Sequence, residues 1–331
     1  MHAHFLPAGL VTALEGRSRA PNILVDDAGN ATIGIYRTRI AYDRAFDDID
    51  SRIASLQELG ITRQMLSLPG LFGIDSLPAA ESVGLTRAFN DGVSLLVEDH
   101  PDHFVGLASL PVADQAASMR EYRRARIELG LAGMILPGDA FASVASAQFM
   151  KPLFELAQEI GGLIFVHPGP LPLDQHNGHI DAPTSHGDNV VHRRATVDIQ
   201  NRLTDIMITL ALSDFLDDFI DVPVQIANLG GSLPFIIERM DHVYSLRHPE
   251  LPLPSSSLKP VYVDTASMGP RALALAVDLY GADRVLFGTD DPVFDASRGL
   301  AAVRDSGLGE ADQNAILEGN ANELLKRIAA T

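Results

Sequence analysis

The stretch Gly162-Leu163-Ile164-Phe165-Val166-His167 is a short apolar run that ends on a histidine. An apolar run without polar alternation is typical of a parallel β-strand that is buried on both faces. Seven further strand candidates, most of them apolar in the same way, are the opening segment around His2-Ala3-His4, then Gln64–Leu68, Phe104–Leu110, Gly133–Leu136, Pro223–Asn228, Pro260–Ala266 and Arg284–Thr289. We therefore predict eight buried parallel strands.

Helical patterns separate these strands. Asp47–Leu59 places Ile49, Ile53 and Leu56 on one face, which is the period of an amphipathic helix. The others are Ala80–Asp99, Ala116–Leu129, Ser146–Ile160, Ala195–Ile220, Leu233–Tyr244, Pro270–Tyr280, Ala296–Asp305 and Glu310–Ala329. This alternation predicts an α/β fold, a (β/α)8 TIM barrel. A doubly wound open sheet is the alternative, but no Gly-x-Gly-x-x-Gly follows an early strand.

Two segments interrupt the alternation. In residues 8–42, Asn22–Val25 and Ala31–Tyr36 flank a turn at Gly29, which predicts a small hairpin insertion after the first strand. Residues 168–194 form a loop rich in Pro, Gly and His after the fifth strand, and long loops of this kind often carry function. The composition does not shift along the chain, so we expect a single domain over residues 1–331.

The composition narrows the class of protein. The chain has 43 acidic and 25 basic residues, a formal net charge of −18, which would repel the phosphates of nucleic acid. No stretch approaches the ~18 continuous apolar residues of a membrane span, and no secretory signal opens the chain. We expect a cytoplasmic protein without membrane or nucleic-acid partners. Because cysteine is absent, a metal ion would be held by imidazoles or oxygen donors.

Four polar residues stand at predicted strand ends, where barrel enzymes place their chemistry. His167 and Asp290 each follow an apolar run, although a packed histidine and a capping aspartate are the plain explanations for either one alone. His2 and His4 are two residues apart, so an extended segment points both imidazoles the same way. Together the four predict a site for one divalent metal ion, with Zn²⁺ the first choice and Mn²⁺ the alternative.

The same residues belong to an ordered series of motifs. These are His2-Ala3-His4-Phe5-Leu6-Pro7, Pro101–Pro111, Phe165-Val166-His167-Pro168, Gly230–Phe235 and Leu286–Pro292. Over essentially its whole length the chain resembles the amidohydrolase superfamily, and within it the family of aminocarboxymuconate-semialdehyde and resorcylate-type decarboxylases. The resemblance implies that His2, His4, His167 and Asp290 bind the metal. It also implies a homodimer or a higher homo-oligomer.

Asn228 departs from the family pattern. The family usually has a histidine just before the Gly-Gly pair after strand six, and that histidine activates water. An amide can only hydrogen-bond or orient water, so we expect Asn228 to orient and Asp290 to move the proton. Another base could come from the histidines of the loop after strand five: His176, His179, His186 and His192.

A carboxylate substrate calls for a guanidinium group that can bind both of its oxygens. Arg193 and Arg194 close the loop that begins at His167, and we predict that they and the neighbouring His192 bind substrate. Arg37 and Arg39 in the insertion are further candidates. A surface salt bridge is the plain alternative for all four arginines.

We predict a metal-dependent enzyme that acts on a small organic acid, aromatic or unsaturated, as a non-oxidative decarboxylase. The alternative is a metal-dependent hydrolase of an amide, a lactone or a related carbonyl bond. A third hypothesis is a barrel that binds a ligand without turning it over, because Asn228 cannot act as the base that the family usually has there. Only Met1 precedes His2, so we also expect a short first strand with loosely held ligands.

Overall fold

The structure is a computed structural model that describes residues 1–35, 38–42, 44–170 and 192–330. Its centre is a ring of eight short parallel strands, labelled here in chain order. They are β1 (Ala3–His4), β2 (Gln64–Ser67), β3 (Phe104–Gly106), β4 (Gly133–Pro137), β5 (Leu163–His167), β6 (Val224–Ile226), β7 (Tyr262–Asp264) and β8 (Val285–Leu286).

Strand pairing follows chain order around the ring. Strands β1 to β3 form one parallel run and β4 to β8 form another. Parallel bridges close the two gaps, Ala108 to Met134 between β3 and β4, and Ala3 to Asp291 between β8 and β1. The ring is the α/β barrel that the sequence predicts.

Helices follow the strands around the ring. Helix Lys151–Ile160 illustrates their packing, because it buries one face and leaves Glu155 and Glu159 exposed. The other helices of the alternation are Ile49–Leu59, Ala79–Asp99, Gln115–Ile127, Asp198–Ala211, Leu233–Arg247, Pro270–Tyr280 and Ala296–Arg304, with Val144–Ala147, Glu310–Asn314 and Asn320–Ala329 as additional segments. Among the described residues, no helix has both the length and the apolar character needed to cross a bilayer.

The segment after β1 is more elaborate than a hairpin. It contains helix Ala8–Glu15 and the strands Asn22–Val25, Ala31–Ile35 and Thr38–Ala41, which pair as one antiparallel sheet. The sequence predicts only the first two of these strands. The third, Thr38–Ala41, pairs with Ala31–Ile35 in the structure.

Several strands end earlier than their apolar runs. The eighth run extends to Thr289, yet β8 ends at Leu286. Beyond it the backbone leaves the extended region, and Asp290 adopts a left-handed φ of 57°. This turn aims the Asp290 side chain toward the centre of the ring end, where His2, His4 and His167 lie.

Candidate metal centre

Four buried side chains converge at the carboxyl end of the ring. His2 directly precedes β1 and His4 ends it, His167 ends β5, and Asp290 follows β8. They are between 1% and 7% exposed. One ligand atom from each lies within 4.8 Å of the ligand atoms of the other three. The structure thus brings together the four residues that the sequence places at strand ends.

The spacing of these atoms suits one metal ion. His2 Nε2 lies 3.3 Å from His4 Nε2, and Asp290 Oδ1 lies 3.0 Å from His4 Nε2 and 3.5 Å from His2 Nε2. An ion with ligands at about 2.1 Å separates neighbouring ligand atoms by about 3.0 Å at right angles and about 3.4 Å in a tetrahedron. The three imidazole planes, His167 included, cross at 78° to 89°. The donor set therefore fits a divalent ion.

Asp264 fixes the orientation of His2. The carboxylate is fully buried at the end of β7, and its Oδ1 lies 3.0 Å from His2 Nδ1. It also accepts hydrogen bonds from the side chain of Gln225 at 2.8 Å and from the backbone of Ala266 and Asn228 at 3.1 and 3.3 Å. A carboxylate behind a histidine holds the ring so that Nε2 faces the metal. Asp264 is not among the residues that the sequence predicts for the site, because the predicted run Pro260–Ala266 extends two residues past it, whereas the strand itself ends at Asp264.

The other two imidazoles are held in the same way. His4 Nδ1 lies 3.1 Å from Ser67 Oγ and 3.3 Å from the Ser67 carbonyl oxygen. His167 Nδ1 lies 2.9 Å from the Pro168 carbonyl oxygen. A carbonyl oxygen only accepts, so Nδ1 carries the proton in both rings. Each Nε2 keeps the lone pair that a metal ligand needs.

At three of the four residues of the centre, the pKa shift favours the unprotonated form that binds a metal. Burial lowers the pKa of His167 to about 3, with His2 and His4 acting in the same direction. Burial also lowers the pKa of His4. For Asp290 burial acts to raise the pKa, but the neighbouring imidazoles outweigh it and the pKa falls to about 2. For His2 burial is outweighed by Asp264 and Asp290, so its pKa is raised.

A family comparison agrees with this arrangement. The family model described as Amidohydrolase matches residues 1–327. The chain belongs to the amidohydrolase family. The resemblance stated from the sequence motifs is thereby confirmed.

The relatives of this amidohydrolase include decarboxylases. A 2-amino-3-carboxymuconate-6-semialdehyde decarboxylase from Dictyostelium discoideum is 27% identical over 287 residues, 84% of this chain and 76% of that protein. A gamma-resorcylate decarboxylase from Polaromonas sp. is 29% identical over 307 residues, 86% of this chain and 89% of that protein. A solved dihydroxybenzoic acid decarboxylase from Polaromonas sp., with bound manganese and 2-nitroresorcinol, has a TM-score of 0.71 at 22% identity and covers 98% of this chain and 95% of its own. This likeness supports the barrel fold.

Left-handed backbone gathers at the same end of the barrel. In the described part of the amidohydrolase, the non-glycine residues with positive φ are Asn228, Leu229, Ser267 and Asp290, at 53° to 60°. They follow β6, β7 and β8. Strained residues of this kind concentrate at functional sites, where the surrounding structure holds them in place.

Asn228 is tied to its neighbours by both backbone and side chain. It is 6% exposed, and its Nδ2 donates to Ser267 Oγ at 2.5 Å. Its backbone N–H donates to the same Asp264 oxygen that meets His2. The amide is therefore fixed beside the centre, where it can orient a bound group but cannot take up a proton.

The first strand is short but firmly held. The His2 carbonyl oxygen accepts the N–H groups of Thr289 and Asp290 at 3.0 and 2.9 Å, and the His4 N–H donates to the Asp291 carbonyl at 2.7 Å. Both histidines are 1% exposed. This corrects the expectation of loosely held ligands, because β8 and its extension supply the bonds that a longer strand would make.

Two of the predicted substrate-binding residues, His192 and Arg193, lie outside the four-residue cluster. His192 and Arg193 are exposed at the turn that leads into helix Asp198–Ala211. Arg39 donates to the neutral side chains of Asn22 and Thr32 of the antiparallel sheet. Four further candidates lie outside the described residues: Arg37, His176, His179 and His186. The side chain of Arg194 also lies outside them.

Proposed function

We propose that this amidohydrolase is a metal-dependent, non-oxidative decarboxylase of a small aromatic or unsaturated carboxylic acid. The cluster of His2, His4, His167 and Asp290 within 4.8 Å carries the proposal. It supplies a metal site at the reactive end of a barrel whose relatives include decarboxylases of such acids.

The three imidazoles and Asp290 would hold one divalent ion, which when bound polarises the substrate oxygens that chelate it. We propose Zn²⁺ because three imidazole nitrogens and one carboxylate suit it well. The manganese in the Polaromonas structure makes Mn²⁺ the alternative. Metal analysis of protein purified without chelators tests this point, and less than about a tenth of an equivalent of either ion would contradict it.

Loss of carbon dioxide leaves a carbon that must receive a proton. Asp290 is the candidate carrier, because its carboxylate lies within the four-residue cluster and its side chain is 10% exposed. It would take a proton from water or a substrate hydroxyl and pass it to the carbon. Asn228, with its amide on Ser267, would orient the substrate. No imidazole is needed at position 228 for this route.

The acidic chain needs local cations to bind an anionic substrate. With a net charge of −18, the overall field repels a carboxylate, so a placed guanidinium must offset it. We propose Arg193, Arg194 and His192 for this role, because in the sequence they close residues 168–194, the segment rich in Pro, Gly and His that follows His167. A KM for a carboxylate substrate that stays unchanged in Arg193→Ala would contradict the assignment of that arginine.

We also propose a homodimer or higher homo-oligomer. Helix Leu233–Arg247 leaves Phe235 81%, Val243 42% and Leu246 76% exposed, and an apolar helix face of this kind would be covered in an interface between copies of the chain. Light scattering on the full chain tests the proposal, and a monomer at micromolar concentration would contradict it.

A product assay tests the main proposal. Metal-loaded protein is incubated with hydroxylated benzoates and dienoic acids, and released carbon dioxide is measured. Release that depends on the metal supports decarboxylation. Hydrolysis of amides or lactones without carbon dioxide would favour the hydrolase, and saturable binding without turnover would favour a binding protein.

A further inference from the structure

The junction between β8 and β1 carries three of the four residues of the metal centre, and it has little regular ladder. We call it the seam, residues 285–291 against residues 2–4. β1 and β8 are each two residues long, and one bridge, Ala3 to Asp291, and three backbone hydrogen bonds join the two segments. The relative positions of His4 and Asp290 therefore depend on contacts beyond strand pairing.

Arg52, on helix Ile49–Leu59, supplies such contacts. Its side chain is 3% exposed. Nη1 donates to Asp291 Oδ2 at 2.7 Å and to Gln64 Oε1 at 3.1 Å. Nη2 donates to the carbonyl oxygens of His4 and Ala45, both at 2.8 Å. One guanidinium thus joins β1, β2 and the segment after β8.

Two of these bonds reach the backbone of one ligand of the metal centre and the covalent neighbour of another. The His4 carbonyl belongs to a predicted metal ligand, and Asp291 is the covalent neighbour of Asp290. Bonds between an ionised donor and an ionised acceptor are roughly twice as strong as neutral ones, so the Arg52–Asp291 pair is a firm anchor. The rigid planar fork also sets the angle between its partners, which a lysine could not do.

We propose that Arg52 is a positioning residue of the metal centre. It holds His4 and Asp290 at the separation that one ion requires, 3.0 Å between Nε2 and Oδ1. This inference rests on the proposed metal function. It concerns a residue that lies behind the ligands and contacts them only through the backbone and through Asp291.

The test compares Arg52→Lys with a matched control. Arg126 also donates to two backbone carbonyls, those of Leu131 at 2.9 Å and Ile328 at 3.3 Å, but its bonds lie away from the four-residue cluster. Zn²⁺ and Mn²⁺ dissociation constants are measured on the full chain by competition with a chromophoric chelator, and Tm is measured on metal-free protein. We expect Arg52→Lys to weaken metal binding by about 10-fold or more. Arg126→Lys should lower Tm but leave metal affinity within about twofold.

A second variant covers the case in which Arg52→Lys does not fold. Asp291→Asn keeps the side-chain volume and removes the ion pair, and it should weaken metal binding several-fold. Wild-type affinity in a folded Arg52→Lys or Asp291→Asn protein would overturn the positioning role, as would an equal loss of affinity in Arg126→Lys. Wild-type protein that binds neither metal would overturn the proposed metal site as well, which separates the two failures.

Discussion

The β4–β5 wall and the β8–β1 seam hold the metal centre in different ways. β4 and β5 pair over five residues, from Gly133 with Leu163 to Pro137 with His167, and every residue of both strands is buried. This ladder delivers one ligand, His167. The seam delivers three with two-residue strands, and relies on Asp264, Arg52 and irregular backbone bonds. Regular pairing is thus sufficient for the wall, whereas the seam needs side chains from distant segments.

The largest effect is expected at the seam from Asp290→Asn. The amide cannot carry a proton, and it is a poorer metal ligand than a carboxylate. We expect carbon dioxide release to fall by about 100-fold or more even at saturating metal. Turnover and metal content are measured on the same sample, so a metal-loaded variant with normal turnover would contradict proton transfer by Asp290.

A pH effect is expected from the wall ligand. The pKa of His167 falls from its ordinary 6.5 to about 3 in the folded chain, so the unfolded state binds more protons between these values. The free energy of unfolding of metal-free protein therefore decreases as pH falls from 6.5 toward 3. Asp290 acts in the same direction below its ordinary pKa of 3.8, whereas His2, with a raised pKa, opposes it.

The variant His167→Gln isolates the wall contribution to this pH effect. Denaturant titrations at pH 7 and pH 5 should show a smaller difference in the free energy of unfolding for the variant than for the wild type. An equal difference in the two proteins would mean that the buried imidazole of His167 does not cause the dependence.

A smaller effect, on metal affinity, is expected from Asp264→Asn, which removes the carboxylate that orients His2 in the seam. The ring of His2 loses its carboxylate partner. The loss of such a partner typically lowers metal affinity by about 10- to 100-fold. Chelator competition measures the change. An affinity within about twofold of wild type would show that His2 is oriented by other contacts.

The control for this variant lies in the wall. A Cβ at Gly133 would lie 2.0 Å from the Leu163 carbonyl oxygen, so Gly133→Ala must push β4 and β5 apart. We expect a loss of about 1–3 kcal/mol in the free energy of unfolding. The folded fraction should bind metal more tightly than Asp264→Asn, because the seam is untouched and Gly133 lies at the opposite end of the ladder from His167.

The smallest effect on the metal is expected from Asn228→His. Histidine tolerates the left-handed backbone at this position better than most residues do. Because Asn228 bonds to Ser267 and Asp264 rather than to the four-residue cluster, metal content should be unchanged. Loss of metal in this variant would show that Asn228 is itself a ligand.

Much of the barrel follows from local patterns. Helix Pro270–Tyr280 has the bounds that its periodicity predicts, and β5 differs from its predicted run by one residue. Other predicted bounds are wrong, because tertiary contacts decide where those helices and strands end. The predicted helix Ala195–Ile220 ends at Ala211, where the chain turns toward β6. The run Phe104–Leu110 shortens to Phe104–Gly106, since Ala108 only bridges to Met134.

The sequence by itself determined the strand order and placed His2, His4, His167 and Asp290 at strand ends, because parallel strands in a barrel share one carboxyl edge. Only the tertiary structure decided what holds them there. Asp264 lies 262 residues from His2 and Arg52 lies 239 residues from Asp291. Contacts over such separations depend on the closure and register of the whole ring, and no local periodicity encodes them.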